Sequence, residues 1–408
     1  VNPTARRPTR RYRLRPLRLV AALLLLGALC YLVFVAPRQL WFALGMPGPS
    51  PLTAQGVPRF REIAAAQSGG RCLALHVDSN GTATAAITDG TGLTLRLLAA
   101  DGTSAAIHAR VPAEPVAAAF FGDQGLAVWC VGSGQEGGSL VGFLRPTEPA
   151  TRTTPLGTAW RLDTVLHRAA IYPLANAVAV IGAGSDGIPA ECLVLGPTGR
   201  VLYREALLGG LFTAWSAAIP GGGLTLGGAT FTDSGMQPFV KHIGADYREL
   251  FSAATAGGPP LSLSASPTGK YVLAVSPRAV SLWSSDGTVS YERGIAGARI
   301  AHVQVLGDGT ALLGSVETTL ALNPRGRVTR RWRAAGPGPI DPSSTADLAG
   351  LSLPGGAAIF STGGASHGLA LWEGPSELVA IDSSGRWLAR ATGNALTVWH
   401  LEERASPH

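Results

Sequence analysis

Charge is scarce in this chain. Of its 408 residues 14% are Asp, Glu, Lys or Arg, lysine occurs only at Lys241 and Lys270, and methionine only twice. Long helices on a soluble surface usually need more Lys and Glu than this, which argues against a mainly helical fold. Cysteine is sparse too. Cys30 lies in an apolar run, and the remaining Cys72, Cys130 and Cys192 cannot all pair. With no C-x-x-C and no Cys/His cluster, they read as small core residues rather than a disulfide framework or a zinc site. The eight histidines show no H-x-x-x-H or H-E-x-x-H spacing. His76, His108, His167 and His302 fall in strand-like stretches, where a satisfied or surface histidine is expected. No serine nucleophile elbow is expected either. No catalytic, cofactor-binding or metal-binding residue is assigned, and no cofactor is expected.

The net charge of +7 is local. Arg6, Arg7, Arg10, Arg11, Arg13, Arg15 and Arg18 stand in residues 1–18 without an acid, and the other 26 bases are balanced by 26 acids. The basic character belongs to the tail and gives no nucleic-acid footprint on the rest. The arginine-rich, lysine-poor usage points to a high-GC, bacterial genome. Residues 19–36, LVAALLLLGALCYLVFVA, carry no charge in 18 positions. At ~1.5 Å per residue they cover about 27 Å, close to a bilayer core. With the arginines on one side, they are expected to form a transmembrane signal anchor, with the N-terminus cytoplasmic and the rest extracytoplasmic. A cleaved signal peptide ending near Ala43 and Gly45 is the alternative. A lipoprotein is disfavoured because Leu29 precedes Cys30 and the apolar run continues past it.

What is plentiful is glycine (53) and proline (29) in a chain that is 46% hydrophobic. That composition suits many short strands separated by turns. Self-comparison finds a repeat. SASPTGKYVLAVSPRAVSLW (264–283) aligns without a gap on AIDSSGRWLARATGNALTVW (380–399), 116 residues on, with Gly269 on Gly385, Tyr271 on Trp387 and Trp283 on Trp399. LLAADGTS, VLGPTGRV, LWSSDGTV and ALNPRGRV place Gly102, Gly199, Gly287 and Gly326 in one register, as turns that follow a third strand. Turns between second and third strands centre near Gly90, Ser133, Gly184, Ala229, Pro277, Val316, Gly364 and Gly393, mostly 39 to 51 residues apart with a last interval of 29.

Strand, polar turn with Gly, strand, short turn and a strand ending in Trp resembles the WD40-type β-propeller repeat, within the wider YVTN/quinoprotein-like group. The resemblance implies an all-β fold, a single β-propeller of seven or eight four-stranded blades, preceded by one N-terminal transmembrane helix. The expected divisions are 1–18 basic cytoplasmic tail, 19–36 transmembrane signal anchor, 37–58 Pro-rich spacer, 59–403 β-propeller and 404–408 C-terminal tail. A strand around Arg59–Ala66 is expected to complete the last sheet and close the ring.

One stretch argues for an enzyme. VAVIGAGSDG (178–187) is a strand running into G-x-G-x-x-G, with Glu205 near the place where a dinucleotide fold holds a ribose. That reading needs a helix after Gly187, yet IPAECLVLGPTG follows, closed by Gly196-Pro197. The same spacing recurs 50 residues earlier at Gly132, Gly134 and Gly137, and related Gly-rich turns are expected at LTLGGATFTDSG (224–235) and IFSTGGASHG (359–368). A nucleotide site would not be copied from blade to blade. ALNPRGRVTRRW (321–332) resembles a quinoprotein repeat but has Asn323 and Arg325 where that motif differs. SSDGT (284–288) resembles a sialidase Asp-box that lacks one residue.

The expected function is a membrane-anchored extracytoplasmic propeller. It would act as a non-enzymatic protein-interaction, scaffold or binding module, with protein or glycan partners on its loop faces, the membrane held through 19–36, and no nucleic acid. The alternative is a propeller enzyme or ligand sensor, lactonase-like or quinoprotein-like, using the central channel.

Overall fold

The computed structural model describes residues 57–402 apart from 91, 112–113, 122–124, 132–138, 145–153, 156, 163–168, 175, 183–189, 197–198, 218–222, 296–299, 301, 316–317, 334–339, 342–347, 354, 362–365, 373–377 and 383. Of the first 56 residues it describes Leu24. The first strand among the described residues is β1 (Phe60–Gln67). Six complete blades follow, each with four antiparallel strands in sequence order from the inside outward. Blade 1 is β2 (Arg71–Val77), β3 (Ala83–Thr88), β4 (Leu93–Leu98) and β5 (Ser104–Arg110). Blade 2 is β6 (Glu114–Phe121), β7 (Gly125–Val131), β8 (Ser139–Leu144) and, after the short β9 (Thr154–Pro155), β10 (Gly157–Leu162). Blade 3 is β11 (Ala169–Pro173), β12 (Val178–Gly182), β13 (Ala190–Leu195) and β14 (Val201–Leu207). Blade 4 is β15 (Gly210–Ala217), β16 (Leu224–Thr232), β17 (Gly235–Ile243) and β18 (Glu249–Ala254). Blade 5 is β19 (Ser262–Ala265), β20 (Tyr271–Val275), β21 (Ala279–Ser284) and β22 (Val289–Gly294). Blade 6 is β23 (His302–Val305), β24 (Ala311–Gly314), β25 (Thr319–Leu322) and β26 (Val328–Trp332).

Two further sheets are irregular. After β27 (Ile340–Asp341) comes a three-stranded sheet, β28 (Leu348–Leu353), β29 (Gly356–Ser361) and β30 (Ser366–Leu371). The closing sheet is β31 (Leu378–Ile381), β32 (Trp387–Ala391) and β33 (Ala395–Leu401), completed on its outer side by β1, which runs antiparallel to β33 from Phe60↔Leu401 to Gln67↔Ala395. The two ends of the described chain therefore share one sheet. Innermost β2 lies beside β6 on one side and β31 on the other. Two short strands depart from the pattern: β9 extends blade 1 parallel to β5, and β27 lies parallel to β31.

The alternating apolar residues of each strand are buried between sheets. Leu93, Leu95, Leu126 and Val128 meet between blades 1 and 2, Ile181, Val194, Leu224 and Leu226 between 3 and 4, and Leu273, Leu282, Leu313 and Leu322 between 5 and 6. Each fully buried Leu or Ile contributes roughly 2 kcal/mol. The 116-residue repeat is one structural unit twice over, since β19, β20 and β21 begin 116 residues before β31, β32 and β33. Gly102, Gly199, Gly287 and Gly326 all have positive φ (+85°, +78°, +83°, +73°). Each donates its N–H three residues back, in the same turn.

Glycine also lets the sheets interlock. A Cβ on Gly287 or Gly326 would stand 2.9 Å from Phe251 or Tyr291 of the preceding blade, and one on Gly81 would stand 2.5 Å from the Trp387 ring. Blade 4 repeats the turn without glycine: Gly244 N–H donates to the Arg248 carbonyl, and Tyr247 takes the positive φ, +60°.

The expectation of seven or eight uniform four-stranded blades behind a transmembrane helix is corrected in two respects. Six blades are complete in themselves, and the remaining two sheets are a three-stranded one and the shared closing one. The 29-residue interval from Gly364 to Gly393 is short because only residues 372–377 separate β30 from β31. The turn centre expected at Ala229 is also wrong. Ala229 lies inside β16, and its hairpin turns at Asp233 and Ser234. Gly227 and Gly228 look like a turn in the sequence but serve close packing. A Cβ on Gly228 would stand 2.1 Å from the Leu211 carbonyl oxygen, and one on Gly227 would stand 2.5 Å from Pro260.

The second correction concerns the membrane. Among the described residues no helix is long and apolar enough to cross a bilayer. Apart from Leu24, which is helical, the run 19–36 lies outside the described residues, as do 1–18, 37–56 and 403–408. Hydropathy reports composition only, whereas spanning needs a continuous helix that satisfies its own backbone. The membrane anchor, the membrane as a partner, the cytoplasmic N-terminus and the extracytoplasmic propeller are therefore not retained.

Candidate functional site

The dinucleotide motif is resolved by strand direction. A nucleotide-binding unit needs parallel strands joined through a helix. Instead β12 pairs antiparallel with β13 in unbroken register, Val178↔Leu195 through Gly182↔Glu191. Gly182 ends β12, while Gly184 and Gly187 lie outside the described residues, as do Gly132, Gly134 and Gly137 of the earlier copy. The other motifs dissolve in the same way. In SSDGT, Asp286 accepts the Thr288 N–H at 2.9 Å and the Ser284 hydroxyl at 2.5 Å, and that hydroxyl chiefly lowers its pKa. In ALNPRGRVTRRW, Gly326 is the β25–β26 turn and Trp332 is buried core.

One motif escaped the sequence reading. Gly364-Ala-Ser-His-Gly368 has G-x-S-x-G spacing. A nucleophile elbow needs a strand, a sharp turn and then a helix. Here Ser366 begins β30, which continues as a strand, and a Cβ on Gly368 would stand 2.5 Å from the Phe60 ring. That glycine serves ring closure.

Glu205 is not a ribose ligand. It projects from β14 toward blade 4, where Lys241 Nζ stands 2.5 Å from its Oε1 and 3.2 Å from Glu249 Oε2. The Tyr203 hydroxyl donates to the other oxygen of Glu205. Burial pulls the Lys241 pKa down, but its bonds to Glu205 and Glu249 outweigh that and raise it. Burial, then the bond to Glu205, raises that of Tyr203. Both Glu205 oxygens are occupied and the lysine is held charged between two carboxylates, so the group braces blade 3 against blade 4. Nearby, Arg204 Nε lies 2.5 Å from the buried Glu191 carboxylate.

Cys72, Cys130 and Cys192 are buried and in no disulfide. Burial raises the Cys192 pKa, which makes a thiolate unfavourable. His108 Nδ1 bonds Thr94 Oγ1 at 3.0 Å, His76 lies by Phe120, His302 is exposed, and His167 is outside the described residues. Nothing in the sequence pattern marks His242. It is 1% exposed, bonded to Thr225 Oγ1 at 2.8 Å and to the Gly269 carbonyl, and burial lowers its pKa.

The inner strands are mostly Ala, Val, Leu and Ser. Neighbouring ones are stitched by serine: Ala265 N–H donates to Ser216 Oγ and Val305 N–H to Ser264 Oγ, each at 2.9 Å. Gln304 Nε2 donates to the Leu348 carbonyl at 3.0 Å. The charged or histidine residues on these strands and on β27 are Arg71, His76, Glu114, His302 and Asp341. Arg71 donates to the Val116 carbonyl. Among the described residues no group of three His, Cys, Asp or Glu could hold a metal.

The exposed apolar residues point elsewhere. The face that carries the turns between second and third strands also carries the connections between blades. There, Leu208 is 83%, Leu261 59%, Phe231 54% and Met236 49% exposed. In the sequence Phe231 and Met236 look like any alternating strand residues.

No family model matches the chain, and no curated protein matches it. Solved structures do. The C-terminal WD40 domain of Sif2 superposes with a TM-score of 0.57 at 10% identity, over 85% of this chain and 99% of that one. The Dos1 propeller gives 0.53 at 10% identity, over 84% and 95%. At such identity the likeness is one of fold alone, and the fold is that of a WD40-like β-propeller.

Proposed function

We propose that the chain is a non-enzymatic interaction module, a propeller scaffold that binds proteins through the loops of its faces. The observation that carries this reading is the group of exposed apolar side chains on the connecting face, of a kind that marks interaction surfaces. The ionisable cluster at Glu205 and Lys241 supports it by contrast, since its members satisfy one another and offer no reactive group. Fold alone assigns no activity, so the weight rests on these side chains.

The test is chemical crosslinking of the full chain in native extract, followed by reconstitution with whichever purified protein is recovered. A defined heterocomplex at micromolar concentration is expected. Turnover of a small molecule that is lost on substituting Glu114 or His302, with no reconstituted complex, would replace the reading with the channel enzyme.

A further inference from the structure

Blade 4 ends unlike its neighbours. Its central hairpin has nine residues in β16 and nine in β17, longer than any other described strand, and near its tip Phe231 pairs with Met236. Phe231 lies two positions beyond Ala229 and four beyond Gly227, so it shares their face of the strand. Gly227 on that face packs against Pro260, at the foot of blade 5. Phe231 and Met236 therefore stand above the connection 255–261, which ends in exposed Leu261. Leu208 borders the hairpin on its other side, because the carbonyl of the adjacent Gly209 accepts the Phe231 N–H at 2.8 Å.

This surface carries little charge. The hairpin tip reads Thr232-Asp233-Ser234-Gly235 and the connection Thr255-Ala-Gly-Gly-Pro-Pro-Leu261, and Asp233 is offset by exposed Arg278, which packs against Gly257 of the connection. It is also small. At ~200 Å² for a side chain of this size, Phe231, Met236 and Leu261 expose roughly 300–350 Å² on the connection side of the hairpin. A stable dimer or globular complex needs about 800 Å² from each partner. A second copy of the chain would leave the interface less than half complete.

We infer that the notch between the β16–β17 hairpin and the 255–261 connection receives a short segment of a partner protein. That segment carries two or three apolar side chains and little net charge. The inference rests on the interaction-module reading and gives it a place and a ligand chemistry.

A library of random peptides, selected on the purified full chain, supplies the probe. Enriched peptides should share spaced apolar residues and carry little net charge. Their affinity should fall roughly tenfold or more on the double variant Phe231→Ser/Met236→Ser, as expected for central apolar anchors. Both positions are exposed, and an unchanged melting temperature verifies the variant's fold. No enrichment, a strongly charged consensus without apolar residues, or equal binding to the variant would overturn the inference. So would a wild-type dimer in sedimentation velocity that the variant lacks, since that makes a second copy the occupant. A crosslinked partner that binds wild type and variant alike would sink this site while leaving the interaction module standing.

Discussion

Gly81 and Gly102 separate the two demands that the propeller makes on its turn glycines. Both have positive φ, +79° and +85°, and both donate an N–H three residues back, to Asp78 at 3.1 Å and Ala99 at 3.0 Å. They differ in what a side chain would meet. A Cβ on Gly102 finds nothing within 4 Å, whereas one on Gly81 lies 2.5 Å from the Trp387 ring, across the seam between the closing sheet and blade 1. Alanine at either position carries the left-handed penalty of about 1–2 kcal/mol. Gly81→Ala adds an overpacking cost of about 1–3 kcal/mol because the indole must move. Urea unfolding followed by far-UV circular dichroism should therefore rank Gly81→Ala about 1–3 kcal/mol below Gly102→Ala. Combining Gly81→Ala with Trp387→Leu makes room for the methyl, and the double-mutant cycle should return a coupling of similar size. Equal losses for the two alanine variants, or no coupling with Trp387, would refute the claim that this indole and glycine lock the ring.

At Tyr247 the same turn runs without glycine, and its ring packs against the core between blades 3 and 4. Tyr247→Gly and Tyr247→Ala lose the same packing, so the glycine variant should be the more stable by about 1 kcal/mol, read from urea midpoints. His242 should make stability fall in acid. Its folded pKa lies below the unfolded value, so as pH drops through about 6.5 the unfolded chain takes the proton first. Stability then declines by at most ~1.4 kcal/mol per pH unit until the folded pKa is reached. His242→Gln should flatten the profile between pH 7.5 and 5, and an unchanged slope would show that other groups carry it.

Regular backbone chemistry was legible before the fold was. The turn glycines and the 116-residue repeat could be read because the same local conformation recurs with the same residue types. Tyr247 was invisible for the same reason: a tyrosine at positive φ gives no sign in a sequence. Gly227-Gly228 misled, since a glycine that admits a neighbouring backbone looks like one that turns the chain. The closing sheet was legible because β1 and β33 both read as strands. The three-stranded sheet announced itself only as a short interval.

The proposed docking surface lies beyond sequence pattern for a different reason. Phe231 and Met236 alternate with their neighbours as core residues do, and Gly227, Ala229 and Val240 of the same two strands are buried. Burial ends where blade 5 ends. An apolar side chain two residues higher on a longer hairpin has no facing sheet, so its exposure depends on the relative heights of adjacent blades rather than on its own strand. Glu205 shows the converse. Its spacing from a Gly-rich turn suggested a ligand, yet its partner Lys241 lies 36 positions away on the next blade and makes it a brace. In a stacked fold, a side chain's role is set by the sheet packed against it. The residues left without such a sheet are the ones available to a partner.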